Sequence, residues 1–150
     1  MVEAVSPRVT AGPIGRNFLE SNLIHRTARG DLVNSKSEII IADALFDAEK
    51  EYGVRYFYER QLIGANGRRR WPDFSIEDRN GDVWYWEHCG MLDQPDYQSR
   101  WKAKLAFYEE NKIKPWSPET PTGRLIVTED GGKKGLDSLA IREMIRSIFE

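Results

Sequence analysis

The sequence predicts an α/β protein in which a mixed four-stranded sheet is flanked by helices. Three observations lead to this prediction. A helix-like segment at residues 34–53 precedes three strand-like segments, the last two joined by a hairpin turn. A second helix-like segment then leads to a short apolar strand at residues 124–128, and such a crossover favours parallel pairing. With a last helix covering the sheet, the core order is αβββαβ followed by that helix.

The composition indicates one folded domain. The chain has 150 residues, of which 40% are hydrophobic, and its net charge is -2. This charge does not indicate nucleic-acid binding, although Arg68, Arg69 and Arg70 form a local basic run. The single Cys89 excludes an internal disulfide and a cysteine-rich zinc site, and no apolar run reaches the ~20 residues of a membrane span. We therefore expect a cytoplasmic protein with no membrane partner.

The first thirty residues are typical of an arm rather than a domain. Residues 5–15 contain two prolines and two glycines, which is typical of loop or extended chain, and residues 18–24 are expected to form a short helical turn. We expect residues 1–30 to form an N-terminal arm or linker and residues 31–150 to form the domain. We also expect this domain to belong to a longer protein. His25 stands alone, which favours an exposed or packed side chain over a ligand.

The first helix has recognisable start and stop signals. Ser35 and Glu38 have the spacing of a capping box, and Gly53 is a natural stop. One apolar stripe follows at helical spacing: Ile41, Leu45, Ala48 and Tyr52. Glu38 stands one turn before this stripe, so it either caps its own helix or heads the buried face.

Strand-like segments follow the first helix. Residues 54–63 alternate in a pattern that predicts one strand. A hairpin then spans residues 70–90, because Asn80-Gly81 is a strong turn signal between two aromatic-rich runs.

Each strand of this hairpin carries one acid in an otherwise apolar segment. Alternate side chains share a face of a strand, so Asp73 lies opposite Phe74, while Glu87 shares a face with Cys89 and lies opposite His88. A buried carboxylate is costly unless it is paired, hydrogen-bonded or bound to a metal. The two acids are therefore either a metal site or strand-end residues that reach solvent.

The remaining elements complete the sheet. Residues 96–111 predict a helix whose apolar stripe is Tyr97, Trp101, Leu105 and Tyr108, with Arg100 and Lys104 beside it. Asp137 is expected to cap a last helix. Three side chains of that helix are expected to cover the sheet: Leu139, Ile145 and Phe149.

The acids favour a hard metal ion. Glu38, Asp73 and Glu87 could supply the oxygen ligands that Mg²⁺ prefers. A metal there would orient and activate water, and a nearby lysine would stabilise charge on a phosphate. The sequence has no Gly-x-x-x-x-Gly-Lys-Ser/Thr motif, so the chain is not itself a nucleotide-driven motor. A zinc site is the weaker alternative, because its donors lack zinc spacing: His25, His88 and Cys89.

These features resemble the PD-(D/E)XK nuclease superfamily, whose restriction-endonuclease-like fold has an αβββαβ core. Glu38 resembles the helix acid of that family, Pro72-Asp73 its PD, and Glu87-His88-Cys89 its E-x-K. A longer set of motifs is similar to domains at the C-terminal end of some superfamily 1 DNA helicases, over residues 30–150. These motifs are Ser35 to Glu38, Trp86 to Asp93, Arg100-Trp101 with Lys104, and Leu125 to Asp130.

The resemblance implies a Mg²⁺ or Mn²⁺ site. Asp73, Glu87 and the backbone carbonyl of His88 would hold the ion, and Glu38 would act indirectly through water or a second metal. Cys89 stands where the family usually has lysine. In some members that lysine has moved to the following helix. Lys104 is our candidate for it, and the remaining lysine of this segment, Lys102, lies about 160° away around the helix.

Two functions follow from the resemblance. The first is a metal-dependent nuclease that cuts DNA within a helicase-type DNA processing or repair protein, with the helicase core as a partner in the same polypeptide. The second is a catalytically inactive nucleic-acid-binding module of the same fold. The three acids favour the first, whereas the loss of lysine at Cys89 favours the second. Phosphate contacts would come from Arg68, Arg69, Arg70 and Lys102, for which a solvated charged loop is the alternative.

Overall fold

A computed structural model describes residues 25–90, 92–130 and 135–150 of the chain. The predicted helical turn at residues 18–24 lies outside these ranges, as does most of the predicted arm. The strands are β1 (His25–Arg26), β2 (Leu32–Val33), β3 (Arg55–Tyr58), β4 (Leu62–Ile63), β5 (Arg69–Arg70), β6 (Phe74–Glu77), β7 (Val83–Cys89) and β8 (Leu125–Glu129). The helices are α1 (Lys36–Tyr52), α2 (Pro95–Glu110) and α3 (Ser138–Phe149).

The central sheet has four strands in the order β3-β6-β7-β8. Its first two pairings are antiparallel, and β7 pairs with β8 in parallel. Residues of α1 and α3 pack on one face of this sheet against Phe74 and Trp86, and residues of α2 pack on the other face against Tyr85 and Leu125. The α/β class and the mixed four-stranded sheet flanked by helices are therefore confirmed.

The α1 helix begins and ends where its capping residues predict. The Ser35 side chain accepts a hydrogen bond from the Glu38 amide at 3.2 Å, and Gly53 adopts the left-handed conformation with φ 71°. The stripe that begins at Glu38 is buried and includes Ile41 and Leu45. Because the stripe packs on the sheet, it carries Glu38 to the edge of the core.

The prediction of one strand over residues 54–63 is wrong. β3 ends at Tyr58, because Glu59 adopts a left-handed backbone with φ 51° that turns the chain out of the strand. The Glu59 amide still donates to the Asp73 carbonyl at 3.0 Å. Beyond this turn, Leu62 pairs with Arg70 in a separate two-stranded hairpin formed by β4 and β5. This hairpin packs over the sheet face that α2 covers, because Leu62 belongs to the same buried cluster as Phe107.

The predicted β6–β7 hairpin is confirmed. Its turn closes with the Asp78 amide donating to the Asp82 carbonyl at 2.9 Å, and Gly81 supplies the positive φ of 87°. The register places Phe74 opposite Trp86. This register sets the positions of the two hairpin acids.

The last helix is confirmed, but one of its predicted core residues is wrong. Asp137 caps α3 by accepting a hydrogen bond from the Leu139 amide at 2.9 Å. The side chain of Leu139 is 64% exposed and does not cover the sheet. The buried stripe instead consists of Ile141, Ile145 and Phe149. Leu139 lies two residues before this stripe, about 200° around the helix, and therefore faces solvent.

The β1–β2 hairpin stands at the start of the described chain. His25 lies opposite Val33 in this hairpin and is half-buried. The boundary predicted between residues 30 and 31 therefore falls inside the hairpin. Among the described residues, no helix is both long and apolar enough to cross a membrane.

Candidate active site

Two buried carboxylates meet where β6 begins and β7 ends. Asp73 immediately precedes β6, Glu87 lies within β7, and their exposed fractions are 3% and 2%. The Asp73 Oδ2 atom accepts a hydrogen bond from the His88 amide at 2.8 Å. The structure therefore brings Asp73 beside the residue that follows Glu87.

The backbone carbonyl of His88 lies on the side of β7 that faces the start of β6. Continuing the β6–β7 register by two residues puts Pro72 opposite His88. Pro72 has no N–H and cannot donate to this carbonyl, as another residue would in an antiparallel ladder. The Tyr97 hydroxyl donates to it instead at 3.3 Å. A carbonyl oxygen therefore stands beside the Asp73 carboxylate, outside the backbone ladder of the sheet.

The α2 helix supplies a cation and a hydroxyl to Glu87. The Lys104 Nζ atom lies 3.1 Å from Glu87 Oε1, and the Tyr108 hydroxyl donates to Glu87 Oε2 at 2.6 Å. Residues four apart share a helix face, so both side chains reach the same carboxylate. The structure thus brings the predicted Lys104 to Glu87, and the catalytic role of Lys104 stays a prediction.

One electrostatic environment joins these groups. The pKa of the Cys89 thiol is raised to about 12, chiefly by burial and also by the charges of Glu87 and Asp73, while the charge of Lys104 acts to lower it. Burial likewise raises the pKa of Tyr108, and the charge of Glu87 adds to this effect. The charges of Asp73, Glu87 and Lys104 therefore act on the same small region.

Glu38 reaches this region through Tyr58. Its Oε1 atom accepts hydrogen bonds from the Tyr58 hydroxyl at 2.8 Å and from the Asn34 amide at 3.0 Å. Burial raises the pKa of Tyr58 strongly, and the charges of Glu38, Glu59 and Asp73 raise it further. Tyr58 therefore contacts Glu38 directly and lies within the electrostatic range of Asp73. Both interpretations of Glu38 apply, because its carboxylate bonds the backbone at the start of its helix and its side chain begins the buried stripe.

Side chains alone do not form a complete metal site. Across residues 25–90, 92–130 and 135–150, no three histidine, cysteine, aspartate or glutamate side chains converge in a way that could hold a metal ion. In the predicted ligand set only two carboxylates, Asp73 and Glu87, would contact the ion directly, and the third oxygen would come from the backbone of His88. That ligand set stays a prediction.

The His88 ring is packed on the opposite sheet face, as the strand alternation predicts. Its Nδ1 and Nε2 atoms each lie 2.8 Å from a partner oxygen, in Thr128 and Asp130 respectively. The Asp130 carboxylate can only accept, so Nε2 donates to it, and in the neutral ring Nδ1 then accepts from the Thr128 hydroxyl, which itself accepts from Trp86 Nε1. Asp130 also accepts from Ser37 on α1 at 2.8 Å. The ring thereby anchors the end of β7 to β8 and α1.

Three residues of the site were not predicted from the sequence. Tyr97 and Tyr108 were assigned to an apolar stripe, yet their hydroxyls bond His88 and Glu87. Tyr108 follows Lys104 by one helical turn, and this spacing was the signal in the sequence that could have placed both side chains at the same carboxylate. Glu59 is fully buried beside Tyr58, and nothing in its strand-like context distinguished it.

The predicted phosphate contacts lie around α2. The β5 strand contains Arg69 and Arg70, and the Arg70 guanidinium lies 5.5 Å from the ring centroid of Phe107 on α2. Arg68 Nη1 lies 3.8 Å from a carboxylate oxygen of Glu110 at the end of the same helix. Arg68 and Arg69 are exposed, as is the remaining predicted contact, Lys102. Their binding to nucleic acid stays a prediction.

Comparison with known proteins gives one stretch of sequence similarity. The uncharacterized protein MJ1519 of Methanocaldococcus jannaschii is 31% identical over 86 residues, which is 57% of this chain. This similarity covers only 7% of that protein's length. No family model and no solved structure matches the chain. The similarity therefore lies within a small part of a much longer archaeal protein and assigns no function.

Proposed function

We propose that this protein is a metal-dependent nuclease that hydrolyses DNA phosphodiester bonds on a PD-(D/E)XK, restriction-endonuclease-like core. The observation that carries this proposal is the 3.1 Å contact between Lys104 Nζ and Glu87 Oε1. This contact delivers an ammonium group from α2 to the strand on which Cys89 replaces the family lysine. A binding module needs no such lysine beside two buried acids.

The residues present fit Mg²⁺ or Mn²⁺. Asp73, Glu87 and the His88 carbonyl would supply three oxygens, and hard divalent cations prefer oxygen ligands. Two buried carboxylates are costly without positive charge, which a bound cation would supply beyond that of Lys104. When bound, such an ion supplies Lewis-acid stabilisation and a more acidic water.

The chain's own residues position the reacting groups. Tyr108 donates to one oxygen of Glu87 and Lys104 contacts the other, which holds the carboxylate in one orientation. The Asp73 carboxylate is oriented by the His88 amide. The Lys104 ammonium then supports negative charge on the phosphate or positions the attacking water. Glu38 acts indirectly, through Tyr58.

The proposed setting is a helicase-type DNA processing or repair protein. The similarity to a short part of a much longer archaeal protein supports a domain within a longer chain. The proposal of a helicase partner rests on the sequence motifs that resemble the C-terminal domains of superfamily 1 helicases.

The alternative function is a catalytically inactive nucleic-acid-binding module. It is favoured by Cys89, which is 2% exposed and stands where the family has its lysine. In that case, the pair formed by Lys104 and Glu87 would be a structural ion pair.

The experiment that separates these functions is a cleavage and binding assay. Labelled single-stranded and double-stranded DNA are each incubated with the protein in Mg²⁺, in Mn²⁺ or in EDTA. Cutting that requires metal supports the nuclease. Binding without cutting under all conditions supports the inactive module, and the absence of both overturns both functions.

Replacing Arg68, Arg69 and Arg70 together with glutamine is expected to weaken DNA binding and to reduce its salt dependence. Each lost phosphate contact flattens the slope of log affinity against log salt by about 0.7 to 0.9. Affinity is measured by fluorescence anisotropy at several salt concentrations in EDTA. Arg146→Gln, on the exposed part of α3, is the matched control. An unchanged slope in the triple variant would show that these arginines make no phosphate contacts.

A further inference from the structure

An open cavity of about 880 Å³ lies at the other end of β7 from the carboxylates. Its walls come from the β4–β5 hairpin, from Val83 and Tyr85 at the start of β7, and from the loop that follows α2. Val83 and Tyr85 precede Glu87 by four and two residues, or about 13 and 7 Å along a strand. The lining residues include none of Asp73, Glu87 and Lys104. This hairpin cavity is therefore distinct from the carboxylate site.

The hairpin cavity is positively charged. Of the described residues that line it, the charged ones are all cations: Lys112, Lys114 and Arg124. Within the described ranges, no carboxylate lies at ion-pair distance from Lys112 or Lys114. Arg124 is held at the rim by the Thr122 carbonyl at 3.1 Å and lies 3.6 Å from Asp82. A cavity with this balance of charge favours an anion.

A buried cation adds to this potential. The side chain of Arg60 is 3% exposed, and its Nε and Nη2 atoms have no hydrogen-bond partner in the described structure. The pKa of Tyr85 on the cavity wall is raised to about 12 by burial, and the charge of Arg60 opposes part of this rise. The guanidinium therefore acts on the wall of the cavity, although Glu77 neutralises part of its charge through a contact of 3.1 Å to Nη1.

The backbone of Lys112 is unusual. It adopts a left-handed conformation with φ 59°, at the position after the α2 cap where glycine is favoured. The Ile113 amide closes the motif by donating to the Tyr108 carbonyl at 2.9 Å. A lysine at this position carries backbone strain that glycine would avoid, which indicates that its side chain has a use of its own.

We propose that the hairpin cavity binds one nucleotide unit. The cations Lys112, Lys114 and Arg124 would hold its phosphate. The base would pack on the half-buried apolar side chains of Ile63, Val83 and Ile113. The volume lies within the range of about 300 to 1,000 Å³ that is typical of small-ligand sites. The unit is either a free mononucleotide or the end of a nucleic-acid strand.

The test is isothermal titration calorimetry in EDTA, which removes any dependence on metal or cleavage. The wild type and the double variant Lys112→Gly, Lys114→Gln are titrated with inorganic phosphate, with a 5′-mononucleotide and with a short single-stranded oligonucleotide. Lys112→Gly removes a charge while placing glycine at a left-handed position, so thermal stability is expected to be equal or higher. Lys50→Gln, an exposed lysine on α1, is the control.

We expect the double variant to bind at least about tenfold more weakly than the wild type and the control. Loss of mononucleotide binding assigns the free ligand, and a loss seen only with the oligonucleotide assigns the strand end. Binding that is equal in all variants overturns the proposal, as does phosphate that binds as tightly as the nucleotide. A protein that fails to cut DNA could still give the expected result, so this test is separate from that of the nuclease.

Discussion

Replacing Asp73 with asparagine is expected to reduce metal-dependent DNA cleavage by about 1,000-fold, because the substitution removes one of two directly placed anionic ligands. The structural role of the side chain survives, since the asparagine oxygen can still accept the hydrogen bond from the His88 amide. Fold stability is therefore expected to change little. The measurement is the single-turnover cleavage rate with Mn²⁺, together with calorimetric titration of Mn²⁺.

Asp96→Asn is the matched control for this substitution, because Asp96 is an exposed acid in the first turn of α2. The control should cut DNA and bind Mn²⁺ as the wild type does. If Asp73→Asn kept the wild-type rate and Mn²⁺ affinity, the metal site would have to be abandoned.

Replacing Lys104 with alanine is expected to lower the single-turnover cleavage rate by about 100-fold or more, because the ammonium group near Glu87 is lost. Adding Cys89→Lys to this variant should restore part of that rate. Position 89 lies two residues after Glu87 on the same face of β7, so a lysine at this position can supply the positive charge that Lys104→Ala removes. Recovery would assign the charge, rather than the shape of α2, as the cause of the loss.

The rescue also separates catalysis from stability. Lys104→Ala leaves Glu87 with the Tyr108 hydroxyl but without its cation, so some loss of stability is expected. Urea unfolding of each variant identifies the part of the effect that comes from stability, and Lys50→Ala serves as the control on α1. A wild-type cleavage rate in Lys104→Ala would contradict the catalytic role of Lys104. If neither the wild type nor any variant cut DNA, the inactive module would be favoured instead.

Much of the fold could be predicted because its signals are local. The caps at Ser35, Gly53 and Asp137 depend on residues within one helical turn, and the Asn80-Gly81 turn depends on its own backbone preference. The faces of β7 followed from strict alternation, which correctly separated Glu87 from the His88 ring. These features can be predicted without knowing which distant residues lie nearby.

The parts that were wrong or missed depend on distant contacts. Glu59 has a strand-like neighbourhood, and its left-handed backbone is supported by the Asp73 carbonyl across the sheet. The hydroxyl of Tyr108 cannot be distinguished from an apolar helix position until Glu87 is placed beside it. Leu139 was a different error, because its spacing from Ile145 already placed it off the buried stripe.

The connections of the sheet also set an order of assembly. The β6–β7 hairpin closes through a short turn, whereas Tyr85 pairs with Leu125 only after the whole of α2 has been traversed. Short loops close at a lower entropy cost, so we expect the hairpin to form first and β8 to join late. Pulse-labelled hydrogen exchange during refolding would contradict this order if the β8 amides were protected before those of β6. In this order Asp73 and Glu87 come together while both are still exposed to water, and the docking of α2 then excludes water from them and brings the single positive charge of Lys104 to Glu87.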